Sequence, residues 1–373
     1  MSNKVIVHIA AIDISCESGM GRVAWHWRKA FEERGYEFFH VGKSEVGSLY
    51  HYSLFPLAAY HYAKKYIKQT PSLFLVHEPA SGSFMNQDIP TVVFSHGLER
   101  RSWELRCQGK DGSTEKIKLR TQLFTPLLLR HSEQALKKAE KLLLINSEDM
   151  IFAQKVYQRR DENLFAFKNG INPSRLTEEN QPKDQAHCNV LFLGSWLERK
   201  GTHTLVNSAK ILYEKEIDLC WTLAGVGNSK KTVIDFWPKN LHDSVRVIPQ
   251  FLSHQEQALL ADANIFVLPS FFEGQPLALL QAMESGRCCI TTNCCGQRDL
   301  IQHEYNGLLF EPGDAKALAR LIEQCVKDRE LRLRLGRNAR LSVHNRQWES
   351  VASEVVDQVE QVITKDLAGK YRS

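Results

Sequence analysis

Short apolar runs rich in β-branched and aromatic residues alternate along the chain with longer segments whose apolar residues recur at helical spacing. In the first half, strands are predicted at KVIVHIA, YEFFHVG, LFLVHE, TVVFSHG and KLLLINS, and helices at GRVAWHWRKAFEERG and EDMIFAQKVY. Strands that alternate with helices in this way are typical of parallel sheets. We therefore predict an α/β, doubly wound fold.

The same alternation restarts near residue 189. Strands are predicted at NVLFLG, CWTLAG, VRVIPQ, IFVLPS, CCITTN and GLLFEP, and the chain after GLLFEPGD has a helical period throughout. The polar segment 172–187, with two prolines, predicts a linker. We predict two Rossmann-like domains, residues 1–178 and 185–349, that face a central cleft. The last helix has a pattern that fits packing on either domain, and we assign residues 350–373 to the first.

Composition indicates a cytoplasmic globular protein. The 373 residues are 43% hydrophobic and 24% charged, and no stretch approaches the roughly 20 apolar residues of a membrane span. The nine cysteines contain no C-x-x-C pair, which speaks against a zinc site and favours a reducing compartment. The net charge of +5 is compatible with an ordinary solvated face, or with steering of an acidic substrate or an anionic membrane surface.

Four loops after predicted strands carry groups suited to a polar ligand, because open α/β sheets bind ligands at the carboxyl ends of their strands. In the first, SGMGRVAW, Gly19 and Gly21 open a helix and allow a phosphate to approach backbone N–H groups. The loop also matches the dinucleotide fingerprint G-x-G-x-x-A, but eight residues separate Ala10 from Gly19. A nicotinamide site and a glycine helix entry without a ligand are the alternatives.

The other three loops place charged or titratable groups at strand ends. His96 follows TVVFS and is either a sugar-orienting group or a structural histidine. Arg199 and Lys200 follow NVLFLG, where adjacent cations neutralise a diphosphate or lie in a solvated turn. Glu273 follows IFVLPS, beside N–H groups of residues 274–277 at the predicted start of a helix. It either caps that helix or holds two sugar hydroxyls.

These motifs together resemble the retaining glycosyltransferases of GT-B architecture, family 4 (glycosyl transferases group 1), which use nucleotide-sugar donors. The resemblance covers nearly the whole chain. It rests on SGMGR, SHGLE, KNGIN, LGSWLERKG, LAGVGN, ADANIFVLPSFFEGQPLALLQAMESG, CGQRDLI and YNGLLFEPGD, and on a tryptophan near the C-terminus. It implies a catalytic role for His96 and Glu273, which hold the donor sugar. The donor-binding residues that it implies are Gly19, Gly21, Ser195, Arg199, Lys200, Gly225, Phe251, Gly274, Gln275, Pro276, Leu277 and Gln281.

The chain departs from the family pattern at two of these positions. In the family motif E-x7-E the second Glu contacts the nucleotide ribose, and Gln281 stands there in this chain. An amide also hydrogen-bonds hydroxyls, but it carries no charge. Ser195 occupies a position where the family usually has Arg, while Lys200 matches the family Lys. The neighbouring Arg199 is a candidate to replace the missing cation.

The resemblance implies a front-face reaction with retention, in which the leaving phosphate accepts the proton of the acceptor. It implies no metal and no other cofactor. We expect transfer of a hexose, with UDP-glucose as the favoured donor, to a glycan or lipid-linked acceptor in cell-envelope or extracellular polysaccharide synthesis. Two alternatives are a nucleotide-sugar-binding protein without turnover, motivated by Ser195 and Gln281, and an epimerase acting on a nucleotide sugar. No nucleic-acid partner is expected.

The segment 99–130 is rich in Lys and Arg, with aromatic and leucine side chains between them. We expect it to border the acceptor site and to touch anionic lipid peripherally, at the inner face of the membrane. The alternative is an extended solvated loop and helix.

Overall fold

The protein forms two compact units in the computed structural model, which describes residues 4–17, 19–47, 54–85, 88–174 and 188–370. The first unit contains the described residues of Met1–Glu104, Lys116–Gly170 and Trp348–Ser373. The second contains those of Leu105–Glu115 and Ile171–Gln347. Most of the predicted linker, and with it the predicted boundary between residues 178 and 185, lies outside the described residues.

A six-stranded parallel sheet is the centre of the first unit. Its strands lie in the order β2-β1-β3-β4-β5-β6. Nearly every residue of the central strands is buried, as expected where helices cover both faces of a parallel sheet. The strands are β1 (Val5–Ile9), β2 (Glu37–Val41), β3 (Leu73–His77), β4 (Thr91–Ser95), β5 (Lys141–Leu144) and β6 (Leu164–Ala166).

Seven helices accompany this sheet in the described residues of the first unit. The first six are α1 (Gly19–Glu33), α2 (Lys43–Val46), α3 (Phe55–Tyr66), α4 (Glu99–Cys107), α5 (Leu119–Lys138) and α6 (Ser147–Tyr157). The last residues of α4 are grouped with the second unit. The seventh helix, α14 (Trp348–Lys370), comes from the far end of the chain.

Helix α14 packs against α1. Trp348 is 2% exposed, and its ring stacks on His26 at 4.3 Å between ring centroids. Further along, Arg34 makes an ion pair with Asp357 at 2.8 Å, and Tyr36 donates to Glu360 at 3.2 Å. The first unit is therefore built from both ends of the chain.

A second six-stranded parallel sheet organises the second unit, in the order β12-β11-β10-β7-β8-β9. If the strands are numbered from 1 within the unit and read from β9, the order is 3-2-1-4-5-6, which is that of the doubly wound dinucleotide-binding fold. The strands are β7 (Cys188–Leu193), β8 (Leu219–Ala224), β9 (Val245–Ile248), β10 (Ile265–Leu268), β11 (Cys288–Thr292) and β12 (Leu308–Phe310).

The helices of this unit bury one continuous apolar core with the sheet, including Phe192, Trp221, Phe266 and Ile290. They are α7 (Thr202–Glu214), α8 (Lys230–Ile234), α9 (Glu256–Ala261), α10 (Leu277–Glu284), α11 (Cys295–Leu300), α12 (Ala315–Lys327) and α13 (Arg329–Val343).

The predicted α/β class and the two doubly wound, Rossmann-like sheets are confirmed. Each apolar run quoted as a strand in the sequence forms one of the strands above. Within the described ranges, no helix is both long and apolar enough to cross a bilayer.

Candidate active site

The strand order of the second unit reverses between β7 and β10, which lie side by side with Val190 opposite Ile265. Loops on either side of such a reversal diverge and leave a crevice at the carboxyl ends of the strands, where open α/β sheets bind ligands. The turn after β7 carries Arg199 and Lys200, and the loop after β10 carries Glu273. The topology thus gathers three predicted site residues at one point.

Lys200 and Glu273 form an ion pair between Nζ and Oε1. Their side chains are only 15% and 10% exposed. Arg199 lies further from the same carboxylate, with 3.8 Å between Nη1 and Oε1, and its side chain is 47% exposed. Two cations and one mostly buried carboxylate therefore share the crevice.

The charge state of Glu273 follows from two opposing effects. Burial by itself raises the pKa of the carboxyl group, because it penalises the charged form. The nearby charges of Lys200 and Arg199, with the hydrogen bond from Lys200, outweigh burial and hold the pKa of Glu273 below its usual range. Glu273 is therefore an anion at neutral pH and can accept hydrogen bonds from two hydroxyls.

A tight turn brings Lys200 to this carboxylate. Gly201 has φ +74°, and a Cβ there would lie 2.0 Å from the carbonyl oxygen of Pro269. Only glycine allows the turn after β7 to lie this close to the end of β10. The Phe271 N–H donates to the carbonyl oxygen of Arg199 at 2.8 Å, which fixes one loop on the other.

The helix after Glu273 begins at Leu277. The expectation that its first N–H groups belong to residues 274–277 is therefore wrong for residues 274–276. Pro276 occupies the N-cap position with φ −70° and has no N–H group. It also disfavours helical backbone at Gln275, so the helix starts after it. Gly274 and Gln275 form a turn instead, and the Gln275 amide oxygen accepts from Arg346 at 3.0 Å.

The turn at Gly274 rests on the first residues of α11. The Gly296 N–H donates to the carbonyl oxygen of Glu273 at 3.3 Å. A Cβ on Gly296 would lie 1.6 Å from the carbonyl oxygen of Gly274. The backbone around Glu273 is therefore held from both sides, by the turn after β7 and by α11.

Gln281 lies on α10 and is 5% exposed. Among the residues that the structure describes, its Nε2 has no hydrogen-bond partner. A buried amide N–H without a partner costs about 1–3 kcal/mol, so it is suited to bind a hydroxyl or another acceptor. This property agrees with the expected ribose contact but does not test it.

Three further predicted residues follow strands of the same sheet. Ser195 is exposed after β7, and the Leu197 N–H donates to its carbonyl oxygen at 2.9 Å. Gly225, after β8, has φ +69°, and a Cβ there would lie 2.9 Å from the ring of Phe251, after β9. The structure brings Gly225 and Phe251 into contact and leaves the Ser195 side chain towards solvent.

In the first unit, Gly19 begins α1 with φ +60°, and a Cβ there would meet nothing within 4 Å. At Gly21 a Cβ would lie 2.7 Å from the carbonyl oxygen of Asp13, so this glycine is required by packing of the preceding loop. The loop is also fixed by Arg22, whose Nε donates to the Cys16 carbonyl at 3.2 Å. Packing alone accounts for Gly21, whereas open space remains at Gly19.

His96 follows β4 and is partly exposed. Its ring lies edge-on to Phe167 at 5.4 Å and near the rings of His77 at 5.8 Å and Trp27 at 6.3 Å. Burial among these rings, with the neighbouring His77, lowers the pKa of His96 to about 3. The imidazole is therefore neutral at physiological pH and can donate one hydrogen bond and accept another.

Sequence reasoning missed the groups around His96. His8 and His40 share a hydrogen bond of 2.8 Å between their Nδ1 atoms, and burial lowers the pKa of both. Burial also lowers the pKa of His77 to about 4. The buried Glu78 follows β3 just as His96 follows β4, so the rule that selected His96 also applies to Glu78.

Across the described ranges, no group of three or more His, Cys, Asp or Glu side chains is arranged to hold a metal ion. The predicted absence of a metal requirement stays a prediction.

Residues 176–342 match the family model described as Glycosyl transferases group 1. This region is similar to the group 1 glycosyltransferases. It contains the second sheet and its site residues Lys200, Glu273 and Gln281. The fold of the whole described chain matches that of GT-B glycosyltransferases.

Similar proteins extend this assignment. The chain is 25% identical over 215 residues to the capsular polysaccharide biosynthesis glycosyltransferase CapM of Staphylococcus aureus, covering 55% of this chain and 56% of CapM. The chain spans about half the length of the curated relatives it matches.

Two solved structures have the same fold at low identity. Sucrose-phosphate synthase of Thermosynechococcus elongatus superposes with a TM-score of 0.80 at 18% identity, over 97% of this chain and 100% of that one. HepE of Anabaena, solved in complex with UDP-glucose, gives 0.64 at 15% identity, over 96% and 99%.

Proposed function

We propose that this protein is a retaining group 1 glycosyltransferase that moves a hexose from a nucleotide-diphosphate sugar to a glycan or lipid-linked acceptor in polysaccharide synthesis. The observation that supports this most is the ion pair of Lys200 and Glu273 in the β7/β10 crevice. The relative CapM is a glycosyltransferase of capsular polysaccharide synthesis, which supports the acceptor class.

The pair of Lys200 and Glu273 suits a ligand that carries both phosphates and hydroxyls. Both side chains are mostly buried, so a ligand that separates the two charges must offer each a replacement partner. A diphosphate can replace Glu273 as the partner of Lys200 and Arg199, while two hydroxyls of the sugar bind Glu273. Gln281 then donates its unpaired N–H to the ribose.

In the reaction that we propose, the bond between C1 of the sugar and the diphosphate oxygen breaks while a bond from C1 to the acceptor oxygen forms on the same face. The acceptor proton passes to the leaving diphosphate oxygen. Lys200 and Arg199 stabilise the negative charge that develops there, and Glu273 stabilises the positive charge on the sugar ring. His96, as a neutral imidazole, binds a sugar hydroxyl. No residue forms a covalent intermediate and no metal is required.

We favour UDP-glucose as the donor. HepE, which has the same fold, is solved with UDP-glucose. A panel of UDP- and GDP-sugars, read by thermal shift and by donor hydrolysis, tests this choice. Stabilisation by UDP and turnover of UDP-glucose are expected, whereas stabilisation by GDP but not UDP overturns the donor.

Replacing Lys200 or Glu273 tests the site itself. K200A and E273Q should each lower transfer at least about 100-fold, because each removes an interaction with developing charge. The matched control is K215A, which removes another ion pair of the same unit, Lys215 with Glu323 at 2.6 Å. Transfer that survives K200A and E273Q together contradicts the proposal. Tight UDP binding without turnover on any acceptor identifies a binding protein instead.

We further propose that α5 touches an anionic membrane. Four apolar side chains of its first three turns are 54–70% exposed, namely Leu119, Leu123, Phe124 and Leu127. Lys116, Lys118, Arg120 and Arg130 flank them, and residues 116–130 contain no Asp or Glu. Each basic residue contributes about 1 kcal/mol at an acidic lipid surface, which adds to insertion of the apolar groups.

Vesicle flotation tests the membrane contact. The protein should float with vesicles containing phosphatidylglycerol and much less with neutral vesicles. A triple variant L119S/L123S/L127S should lose flotation, while the control L341S, which changes a leucine 71% exposed on α13, should keep it. Equal recovery with acidic and neutral vesicles removes the proposed membrane contact and leaves the solvated helix.

A further inference from the structure

The loop between β4 and α4 carries His96, and side chains bind its successive N–H groups. The Gly97 N–H donates to the Ser95 hydroxyl oxygen at 3.2 Å, and the Leu98 N–H donates to Asp149 Oδ2 at 3.2 Å. The Glu99 N–H donates to both carboxyl oxygens of Glu78, at 3.3 and 3.2 Å. The three N–H groups of residues 97–99, which lead into α4, are thus occupied by protein groups.

Glu78 connects the two ends of this loop. Glu78 is the residue directly after β3, and it is 1% exposed. The Ser95 hydroxyl donates to Glu78 Oε2 at 2.7 Å, and the Glu99 N–H binds the same carboxyl group. One side chain therefore ties the last residue of β4 to the first residue of α4, on either side of His96.

His96 depends on this backbone for its placement. Within the described part of the chain, its imidazole nitrogens have no hydrogen-bond partner, and its ring neighbours are Phe94, Phe167, His77 and Trp27. Ring contacts restrict the plane of the imidazole but leave its nitrogens free for a ligand. The point from which the side chain projects is set by residues 95–99.

We infer that Glu78 is a positioning residue for His96: its carboxyl group fixes the backbone between Ser95 and Glu99 and thereby the point at which the imidazole meets the donor sugar. The inference rests on the proposed function, in which His96 binds a sugar hydroxyl. Asp149 supports the same loop from α6 through the Leu98 N–H, and Arg101 is paired with Asp149. Glu78 differs from Asp149 in holding both ends of the loop.

The charge state of Glu78 suggests which substitution preserves its role. Burial raises the pKa of Glu78 well above its usual range, and the nearby negative charge of Glu99 adds to this effect. A neutral carboxyl group and a carboxamide have nearly the same shape, and each offers one carbonyl oxygen to the Ser95 hydroxyl and the Glu99 N–H. Glutamine should therefore replace Glu78, whereas alanine should not.

The experiment compares E78A, E78Q and the control E140A. Glu140 accepts the Thr91 N–H at 2.7 Å, so E140A removes a bond from a carboxylate to the backbone at the opposite end of β4. We expect E78A to lower kcat for UDP-glucose about 10- to 100-fold with KM within about threefold, the loss typical of a small displacement of a group that orients the substrate. E78Q should restore most of kcat. In an H96A background, E78A should have little further effect.

A second readout separates this inference from the proposed function. The histidines are labelled with ¹³C at Cε1, and the His96 signal is assigned with H96Q. In E78A the His96 signal should shift or broaden, while E140A and E78Q leave it in place. If the wild-type protein turns over no nucleotide sugar, the proposed function fails, and the His96 signal alone decides whether Glu78 fixes the loop.

Each other outcome overturns the inference. If kcat falls in E78A while the His96 signal stays unchanged, Glu78 acts by another route. If the signal moves and kcat is unchanged, the placement of His96 is irrelevant to transfer. Because E78A removes a buried group, S95A serves as a milder variant that leaves Glu78 in place and removes the two bonds of the Ser95 hydroxyl, to Glu78 and from the Gly97 N–H. It should move the same signal in the same direction, and its failure to do so contradicts the loop model.

Discussion

Replacing Lys200 by methionine should separate the structural and the chemical roles of the site. In K200M the carboxylate of Glu273, 10% exposed, loses its contacting cation and retains only Arg199 at 3.8 Å. Removing one partner of a buried ion pair costs about 3–5 kcal/mol when nothing replaces it. Because Arg199 remains beside the carboxylate and its side chain is 47% exposed, we expect a loss of about 2–3 kcal/mol in the free energy of unfolding of the second unit, somewhat below that range.

The double variant K200M/E273Q removes the stranded charge. Its free energy of unfolding should return to within about 1 kcal/mol of the wild type, because a neutral amide is far cheaper to bury than an unpaired carboxylate. Sugar transfer should not return, because neither group that binds the donor is present. Stability and transfer are therefore expected to change independently in this pair of variants.

Hydrogen exchange measured by mass spectrometry on peptides from β7 and β10 reports the stability of this unit. A loss of 2–3 kcal/mol speeds exchange of the slowest amides about 30- to 150-fold. The pair of Lys215 and Glu323, replaced in K215M/E323Q, is the control and should change exchange little, since its Lys side chain is 45% exposed. Unchanged exchange in K200M refutes the structural role of the ion pair. Transfer restored in the double variant refutes the donor role.

Three further predictions concern other parts of the two units. Burial lowers the pKa of His77 from 6.5 to about 4. The stability contributed by the neutral imidazole is therefore complete above pH 6.5 and is lost as the pH falls towards 4, a loss of about 3 kcal/mol. Thermal melts between pH 4 and 7 should show this loss, and H77F should reduce it. Q281L should leave the melting temperature unchanged or raise it, because it removes the unpaired amide. Titration calorimetry should show UDP binding weakened about tenfold. Unchanged UDP affinity contradicts the ribose contact. G201A should destabilise the second unit by at least about 2 kcal/mol in chemical unfolding, because a Cβ there would lie 2.0 Å from the Pro269 oxygen.

The sequence was sufficient to predict the strands that carry the candidate site and the side chains that follow them, although it missed β6. The runs NVLFLG and IFVLPS form neighbouring strands, and the charged residues after them meet because parallel strands end at a common edge. Lys200 and Glu273 were therefore predictable as a pair once the sheet was assumed. The start of α10 was misplaced, because the proline at residue 276 was not given its effect on the residue before it.

The environment of His96 was not predictable in the same way. Glu78 and Asp149 bind its loop through backbone N–H groups, and such contacts leave no periodic pattern in the sequence. The burial that lowers the pKa of His96 and His77 also depends on rings from distant parts of the chain, such as Phe167. A prediction of these contacts needs the sheet register and the packing of the helices.

The docking of α14 on α1 has a consequence for how the protein is made. On the ribosome, α1 emerges early, but its partner surface around Trp348 appears only after residues 171–347 have been translated. During that interval the nascent first unit exposes the apolar surface that α14 later covers, a natural binding site for a chaperone. Loss of the residues from Trp348 onwards should therefore impair maturation of the first unit, while the second is able to fold as it leaves the exit tunnel.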